Sequence, residues 1–387
     1  MPGNDFSFLI DTIPQSQAAA YLSDAYKFSA AGKNHRQVCF LFAFSHETFP
    51  ESFHLAIGAF PASCYIYADT SGHRFILVAD PLQLSEVLSW AKKQTCSGFY
   101  QLILSLYQQV PSSRFEIGDL VWNREPPRIM GILNITPDSF YDGGKFFNRD
   151  DYGDIAARLI EEGADIIDIG GESTRPGSKP VTADEEIRRV LPAVEQIRQR
   201  FHIPISVDTA KPEVAESVLS KGANMINDTS GLSAGDRLLK IIASYQASYC
   251  LMHIQGTPET MQHNPEYGDI ITEVYLFFRE KLAKCLNAGI KRERICIDPG
   301  IGFGKTFEHN LYLLRFLSAF RSLNQSILLG TSNKSFIGKA INRNVDDRHA
   351  GSLTTQLMGW LNGASLFRVH DVKAVHDALK MGTCYTG

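Results

Sequence analysis

Short apolar runs alternate with amphipathic stretches from about residue 129 to the end of this 387-residue chain. Eight apolar runs can be counted, and each is followed by a stretch in which apolar residues recur at helical spacing. The runs cover residues 129–135, 165–169, 205–208, 225–227, 249–253, 295–298, 327–330 and 366–369. Continuous apolar runs of this kind are typical of parallel strands that are covered on both faces. The alternation predicts an α/β protein with a (β/α)8 TIM barrel.

The first 124 residues follow a different pattern. The apolar runs VCFLFAFS, LAIGAF, SCYIYADTSG and RFILVAD are followed by two helix-like stretches, PLQLSEVLSWAKKQ and FYQLILSLYQQV. Two consecutive prolines, Pro126 and Pro127, come next and are typical of a linker. We therefore predict two domains: residues 1–124 form a small α/β or α+β domain of unknown role, and residues 125–387 form the barrel.

Composition and charge exclude several classes of function. The net charge is −4 with both signs mixed along the chain, so neither nucleic acid nor a membrane surface is an expected partner. The 7 cysteines are scattered without a CxxC pair, which favours a reduced protein over a disulfide framework or a zinc site. No apolar run approaches the roughly 18 residues of a membrane helix. We expect a soluble cytoplasmic protein.

Polar residues follow the predicted strands at the ends that would face one rim of the barrel. In barrels of this kind the C-terminal strand ends and the loops after them build the active site. Those positions hold Asn134, Asp208, Asn227, Met252, His253, Asp298, Lys334, Arg368 and His370. Each one alone has a plain structural explanation, such as a helix cap for Asp208 or a core position for His253. Their joint arrival at one rim indicates a binding site.

The residue types at this rim suit a flat, nitrogen-rich ring. Asp208, Asn227 and Asp298 offer acceptors and an amide, and a carboxylate can accept two hydrogen bonds from an amino-pyrimidine edge. Met252 and Phe303 supply soft and aromatic surfaces for sandwiching such a ring.

A cationic corner is expected where the first and last barrel strands meet. Asn134 ends the first strand, and Arg368 and His370 lie at the last, so closure of the barrel makes them neighbours. This corner suits a phosphate-type group together with a hard metal bound by oxygen ligands.

Eight segments of the barrel region carry a resemblance to a known family. They are GILNITPDSFYDGG, GADIIDIGGESTRPGS, SVDTAKPEVAE, GANMINDTSG, LMHIQGTPETMQ, IDPGIGFGKTFEHN, GTSNKSFIG and FRVHDVK. Over about residues 128 to 381 they resemble, in the family's order, the dihydropteroate synthases of folate biosynthesis. The resemblance implies a transferase that condenses 6-hydroxymethyl-7,8-dihydropterin pyrophosphate with p-aminobenzoate, giving 7,8-dihydropteroate and pyrophosphate.

The resemblance also implies residue roles, a cofactor and an assembly. The substrate-binding residues it implies are Thr174, Arg175, Asp208, Asn227, Met252, Asp298, Phe303, Ser332, Lys334, Arg368 and His370. The catalytic residues it implies are Asp208, Lys334, Arg368 and His370. Asn134 is implied to bind Mg2+, the expected cofactor. Loops 136–144 and 173–177 are implied to close over the aminobenzoate, and a homodimer is expected.

One position departs from the family, which usually reads SRKS where this chain has Ser332, Asn333, Lys334 and Ser335. The amide removes a fixed charge and a five-donor fork. Two other functions stay open at this point. A methyltetrahydrofolate-dependent methyltransferase would share the pterin pocket, and a catalytically silent subunit would bind pterin without turning it over.

Overall fold

The structure is a computed structural model, in which two compact units, Met1–Pro111 and Ser112–Gly387, divide the chain. The residues that it describes are 9–13, 38–43, 65–68, 74–79, 114–123, 126–135, 151–173, 177–262, 264–268 and 270–386.

The first unit contains an antiparallel sheet. Its described strands are β1 (Leu9–Ile13), β2 (Val38–Ala43), β3 (Tyr65–Ala68) and β4 (Arg74–Ala79). They pair in the order β1-β2-β4-β3. Three of the predicted apolar runs therefore contain strands. The run LAIGAF and the two helix-like stretches lie outside the described residues.

The second unit consists of a short hairpin and eight barrel strands, each of which is followed by one or two described helices. Its strands are β5 (Arg114–Ile117), β6 (Leu120–Asn123), β7 (Arg128–Asn134), β8 (Ile166–Gly170), β9 (Ile205–Asp208), β10 (Met225–Asp228), β11 (Ser248–Met252), β12 (Ile295–Asp298), β13 (Ser326–Leu329) and β14 (Leu366–Val369). Its described helices are α1 (Tyr152–Glu161), α2 (Ala183–Arg200), α3 (Pro212–Ser220), α4 (Asp236–Ser244), α5 (Ile270–Asn287), α6 (Phe307–Arg315), α7 (Ser335–Ile341), α8 (His349–Leu361) and α9 (Val372–Thr386).

Strands β7 to β14 form a closed parallel barrel, which confirms the predicted TIM barrel. The last strand pairs with the first, so that Phe367 lies opposite Ile129 and Val369 lies opposite Gly131. All eight predicted strands are present, with bounds within one residue of those read from the sequence.

Local sequence signals explain where several barrel helices begin. Asp151 caps α1 by accepting a hydrogen bond from the Asp154 amide at 2.9 Å. Pro212 opens α3, where its missing N–H costs nothing because that group has no partner inside the helix. Thr306 and His309 form a capping box at the start of α6.

Hairpin β5–β6 packs under the barrel at the N-terminal ends of its strands. Its side chains Phe115, Ile117 and Trp122 are buried in one cluster with Met130 and Leu366, two interior residues of the barrel. The hairpin therefore belongs to the barrel unit, which begins at Ser112. The sequence analysis placed these residues before its boundary at 124, because the proline linker follows the hairpin.

Helix α8 carries an apolar stripe made of Leu353, Leu357 and Trp360. In the structure Trp360 is buried, and Leu353 and Leu357 pack against the barrel core. These three residues therefore take part in the packing of the barrel.

Among the described helices, none is both long and apolar enough to cross a membrane.

Replacing Phe115 by alanine tests the role of the hairpin as a plug. Phe115 is fully buried and its ring lies 5.0 Å from that of Trp122. We expect the Phe115→Ala variant to lose about 3–5 kcal/mol in the free energy of unfolding of the barrel. Urea titration followed by far-UV circular dichroism measures the loss. The matched control is Val121→Ala, because Val121 lies in the same hairpin with its side chain 46% exposed. An equal loss in both variants would contradict the plug.

Candidate functional site

The carboxyl ends of the parallel strands bring charged side chains to one mouth of the barrel. Asp208 ends β9 and Asp298 ends β12, and both are buried. Arg368 lies in β14 and Asp168 in β8. The mouth therefore holds three carboxylates and a guanidinium on rigid strands.

The Arg368 guanidinium joins two of these carboxylates. Its Nε donates to Asp168 Oδ2 at 2.6 Å, and its Nη2 donates to Asp208 Oδ2 at 3.0 Å. Burial alone would lower the pKa of Arg368, but the two carboxylates outweigh burial and raise it. Arg368 therefore stays charged and is held in a fixed orientation.

Asp208 has an unusual protonation equilibrium. Burial raises its pKa to about 7, and the charge of Asp168 adds to this, while Arg368 and the hydroxyl of Thr229 act in the opposite direction. Thr229 Oγ1 donates to Asp208 Oδ1 at 3.2 Å. Asp208 can therefore gain or lose a proton near neutral pH.

Asp298, Phe303 and Lys334 form the opposite wall. Burial raises the pKa of Asp298, although its carboxylate accepts a hydrogen bond from the Gly300 amide at 2.7 Å. Burial also lowers the pKa of Lys334 to about 8, against the attraction of Asp298 and Asp208. The Lys334 ammonium lies 4.1 Å from the centroid of the Phe303 ring, a cation–π contact.

Asn227 and Met252 line the mouth between these two groups. Asn227 is buried at the end of β10, and its Nδ2 donates to Asp168 Oδ2 at 3.3 Å. Met252 is buried and lies opposite Asp298 in the register of β11 and β12. Asn227 on β10 and Met252 on β11 thus lie between Asp208 on β9 and Asp298 on β12.

Asn134, His370 and Ser332 lie at the rim. Asn134 is exposed and lies opposite Gly170 in the strand register, and Gly170 in turn lies opposite Asp208. The Nδ1 atom of His370 lies 3.2 Å from the Ser332 hydroxyl. The structure thus brings nine of the residues that the sequence predicted for substrate binding, together with Asn134, to one end of the barrel. Thr174 and Arg175 lie outside the described residues.

Asp168 was missed by the sequence analysis. It is fully buried and accepts hydrogen bonds from both Arg368 and Asn227, while its Oδ1 atom has no partner among the described residues. The available signal was an acidic residue inside the apolar run IIDIG, since a buried carboxylate requires paired charges or hydrogen bonds.

Lys211 was missed as well. It lies three residues after Asp208, where its ammonium pairs with Glu172 and, at 2.5 Å, with the buried carboxylate of Glu186. Glu172 is the first residue of the ESTRPG segment, and Arg189 donates to the carbonyl of the preceding Gly171 at 2.9 Å. These contacts hold the base of the second predicted loop.

Asn333 has a left-handed backbone, with φ of 58°. Its backbone N–H donates to the Ser352 hydroxyl at 3.1 Å, and its backbone carbonyl accepts a hydrogen bond from Arg348 at 3.0 Å. Asparagine adopts this conformation more readily than most residues with a Cβ atom.

An open groove of about 530 Å³ lies beyond the loop after β12. Its lining residues are Pro265, Glu266, Tyr267, Gly268, Thr306 and His309. None of them belongs to the predicted site, and the buried carboxylates lie elsewhere.

Comparison with known proteins gives the same assignment of the barrel. Residues 130–370 match the model of a family described as pterin binding enzyme. The chain is 46% identical over 255 residues to a dihydropteroate synthase of Escherichia coli strain K12, covering 66% of this chain and 90% of that protein. It is 43% identical over 274 residues to a dihydropteroate synthase of Clostridium beijerinckii, covering 70% and 97%.

Solved structures agree with the sequence comparisons. The chain is similar to the dihydropteroate synthase of Yersinia pestis in a sulfonamide complex, with a TM-score of 0.67, 40% identity and coverage of 70% of this chain and 99% of that one. It is also similar to the dihydropteroate synthase of Xanthomonas albilineans with 4-aminobenzoic acid, with a TM-score of 0.66, 40% identity and coverage of 71% and 99%. The chain belongs to the pterin binding enzyme family and, within it, to the dihydropteroate synthases, which are transferases.

Proposed function

We propose that this chain joins 6-hydroxymethyl-7,8-dihydropterin pyrophosphate to p-aminobenzoate, releasing pyrophosphate and forming 7,8-dihydropteroate. One observation carries the proposal: two buried carboxylates, Asp208 and Asp298, share the barrel mouth with Lys334 and the paired guanidinium of Arg368. A pterin ring presents N–H donors that such carboxylates accept, and its pyrophosphate requires cations.

The pterin would lie between the two walls of the mouth. Asp298 would accept from the amino-pyrimidine edge, since its buried carboxylate keeps one oxygen beyond the Gly300 contact. Asn227 and Lys334 would bind the remaining polar atoms of the ring. Phe303 and Met252 would cover its faces.

Charge separation explains how the site would promote the reaction. When pyrophosphate leaves, positive charge grows on the dihydropterin and negative charge grows on the leaving group. Ionised Asp208 would stabilise the positive charge on the dihydropterin. Arg368 and His370 would stabilise the negative charge on the leaving group. Loss of one such preorganised partner costs about 3–4 kcal/mol of barrier, or about 10²–10³ in rate. We propose a stepwise route, in which the aniline nitrogen attacks after pyrophosphate departs.

Mg2+ would fit this corner only if the substrate supplied some of its ligands. The described residues contain no group of three or more His, Cys, Asp or Glu side chains that could hold a metal. Asn134 offers one exposed amide oxygen at the end of β7. Mg2+ commonly takes one or two protein oxygens and completes its shell with water and phosphate oxygens. Held by Asn134 and the pyrophosphate, it would neutralise charge on the leaving group.

Binding of p-aminobenzoate is assigned to Thr174, Arg175 and Ser332, and this stays a prediction. The contact of Ser332 with His370 supports a place for the aminobenzoate beside the pyrophosphate. The homodimer and the cytoplasmic location also stay predictions.

Turnover is the direct test of the proposed function. With the pterin pyrophosphate, Mg2+ and p-aminobenzoate, we expect the purified chain to release pyrophosphate and form dihydropteroate in equal amounts. Asp208→Asn should lower kcat by about 10²–10³, because a neutral amide cannot balance the growing positive charge. Asp377→Asn is the matched control, since Asp377 lies on α9 with its side chain 68% exposed.

Different outcomes separate the candidate functions. Pterin binding without release of pyrophosphate would identify a silent binding subunit. Methyl transfer from methyltetrahydrofolate without release of pyrophosphate would identify a methyltransferase. Withholding aminobenzoate tests the stepwise route: a water-trapped dihydropterin supports it, whereas release that depends strictly on aminobenzoate supports concerted displacement.

The raised pKa of Asp208 predicts how stability changes with pH. In the folded chain burial raises this pKa to about 7, whereas an exposed aspartate has a pKa of about 4. Between these values the folded state keeps a proton that the unfolded state releases, so the free energy of unfolding falls as pH rises from about 4 to about 7. Asp208→Asn removes this contribution, and its unfolding free energy should fall less over that interval. Urea titrations between about pH 4.5 and pH 8 measure the difference. Parallel curves for the two proteins would contradict the raised pKa.

A further inference from the structure

Lys305 is a buried cation that the proposed mechanism does not use. Its side chain is in the loop between β12 and α6, and the residue is only 2% exposed. Its Nζ donates to the carbonyl of Phe303 at 2.8 Å and to the carbonyl of His253 at 3.3 Å. It also lies 3.0 Å from His253 Nδ1. Three neutral acceptors thus surround the three donors of one ammonium.

Keeping a charge at this position is costly. Burial lowers the pKa of Lys305 to about 7, and the attraction of Asp298 offsets burial only in part. Burial also lowers the pKa of His253, and the neighbouring ammonium of Lys305 lowers it further. The lowered pKa favours a neutral His253, whose Nδ1 faces the Lys305 side chain. A buried cation that is held by neutral groups must be stabilised by their geometry, because no carboxylate is bonded to it among the described residues.

The loop after β12 packs directly on the chain after β11. At Gly300, which has φ of 68°, an added Cβ would overlap the carbonyl oxygen of His253. At Gly304, which has φ of 63°, it would overlap the carbonyl of Gln255. Lys305 bonds across the same junction, from His253 on one side to Phe303 on the other. Its ammonium therefore fastens the two backbones together.

The fastened segment carries part of the pterin wall. Phe303 lies under the Lys334 ammonium, at 4.1 Å from its ring centroid. An added Cβ at Gly302 would lie 3.2 Å from the Lys334 side chain. The Lys334 side chain therefore packs against the segment that contains Gly302 and Phe303.

We infer that Lys305 is a positioning residue for pterin binding: by bonding the Phe303 carbonyl to His253, it fixes the Phe303 ring and, through that ring, Lys334. The inference rests on the proposed function, because it takes the pterin as the ligand of this wall. Lys305 itself does not touch the substrate.

Direct binding of the pterin pyrophosphate tests the inference. Calorimetry on the full chain with Mg2+, without p-aminobenzoate, should give a dissociation constant about tenfold higher for Lys305→Met, which keeps the length of the side chain but has no donors. In turnover, KM for the pterin should rise by a similar factor, and KM for p-aminobenzoate should stay within about twofold of wild type. Lys240→Met is the control, because Lys240 is exposed on α4.

A double-mutant cycle separates an effect of Lys305 that acts through Phe303 from a general loosening of the fold. If Lys305 acts through Phe303, Lys305→Met should raise the dissociation constant much less in a Phe303→Leu background than in the wild type. Additive effects would overturn the inference. Wild-type pterin affinity in Lys305→Met would overturn it too, whereas a wild-type chain that binds no pterin would instead refute the proposed function.

A milder variant covers the case in which Lys305→Met does not fold, as judged by its melting temperature. Lys305→Gln is neutral but keeps two N–H donors, so it should restore part of the affinity. An affinity equal to wild type for Lys305→Gln would show that the ammonium is dispensable and would overturn the inference.

Discussion

The two hydrogen-bonded ion pairs of Arg368 are the interaction on which the barrel mouth depends. One guanidinium from β14 holds Asp168 of β8 and Asp208 of β9, at 2.6 and 3.0 Å. Removing one member of a buried ionic group leaves the other charge uncompensated, at a cost of about 3–5 kcal/mol. The mouth therefore works as a unit: the carboxylates that would bind and stabilise a pterin keep their geometry because the cation between them is fixed.

Burial then sets the protonation of the whole site. It raises the pKa of Asp208 to about 7 and lowers the pKa of Lys334 to about 8 and that of Lys305 to about 7. The pKa of the acid thus rises while the pKa values of the two lysines fall. Shifts of this kind are common where charged groups are gathered for binding or chemistry. Strands carry Asp208 and Arg368, and Lys305 bonds the loop after β12 to His253, which follows β11. The charges are therefore preorganised before a ligand arrives.

The sequence was sufficient for the barrel and for most of the mouth, because strand ends are local features. Asp208 and Asp298 end their apolar runs, Arg368 lies next to the last residue of its run, and parallel closure then brings them together. The sequence did not reveal Asp168 as a site residue or Lys305 as a support, because their roles depend on partners far away in the chain. Arg368 is 200 residues from Asp168, and His253 is 52 residues from Lys305.

The place of hairpin β5–β6 was missed for a related reason. Its linker signal, Pro126 and Pro127, comes after the hairpin, whereas its packing surface is the barrel interior. By contrast, the departure at Asn333 could be read from the sequence, and its consequence is local. The contacts with Ser352 and Arg348 use the backbone of residue 333, so they do not require the family's arginine side chain. Lys334 still reaches Phe303. Compared with the family's arginine, Asn333 therefore removes a charge from the rim beside Ser332, while the contact between Lys334 and Phe303 stays in place.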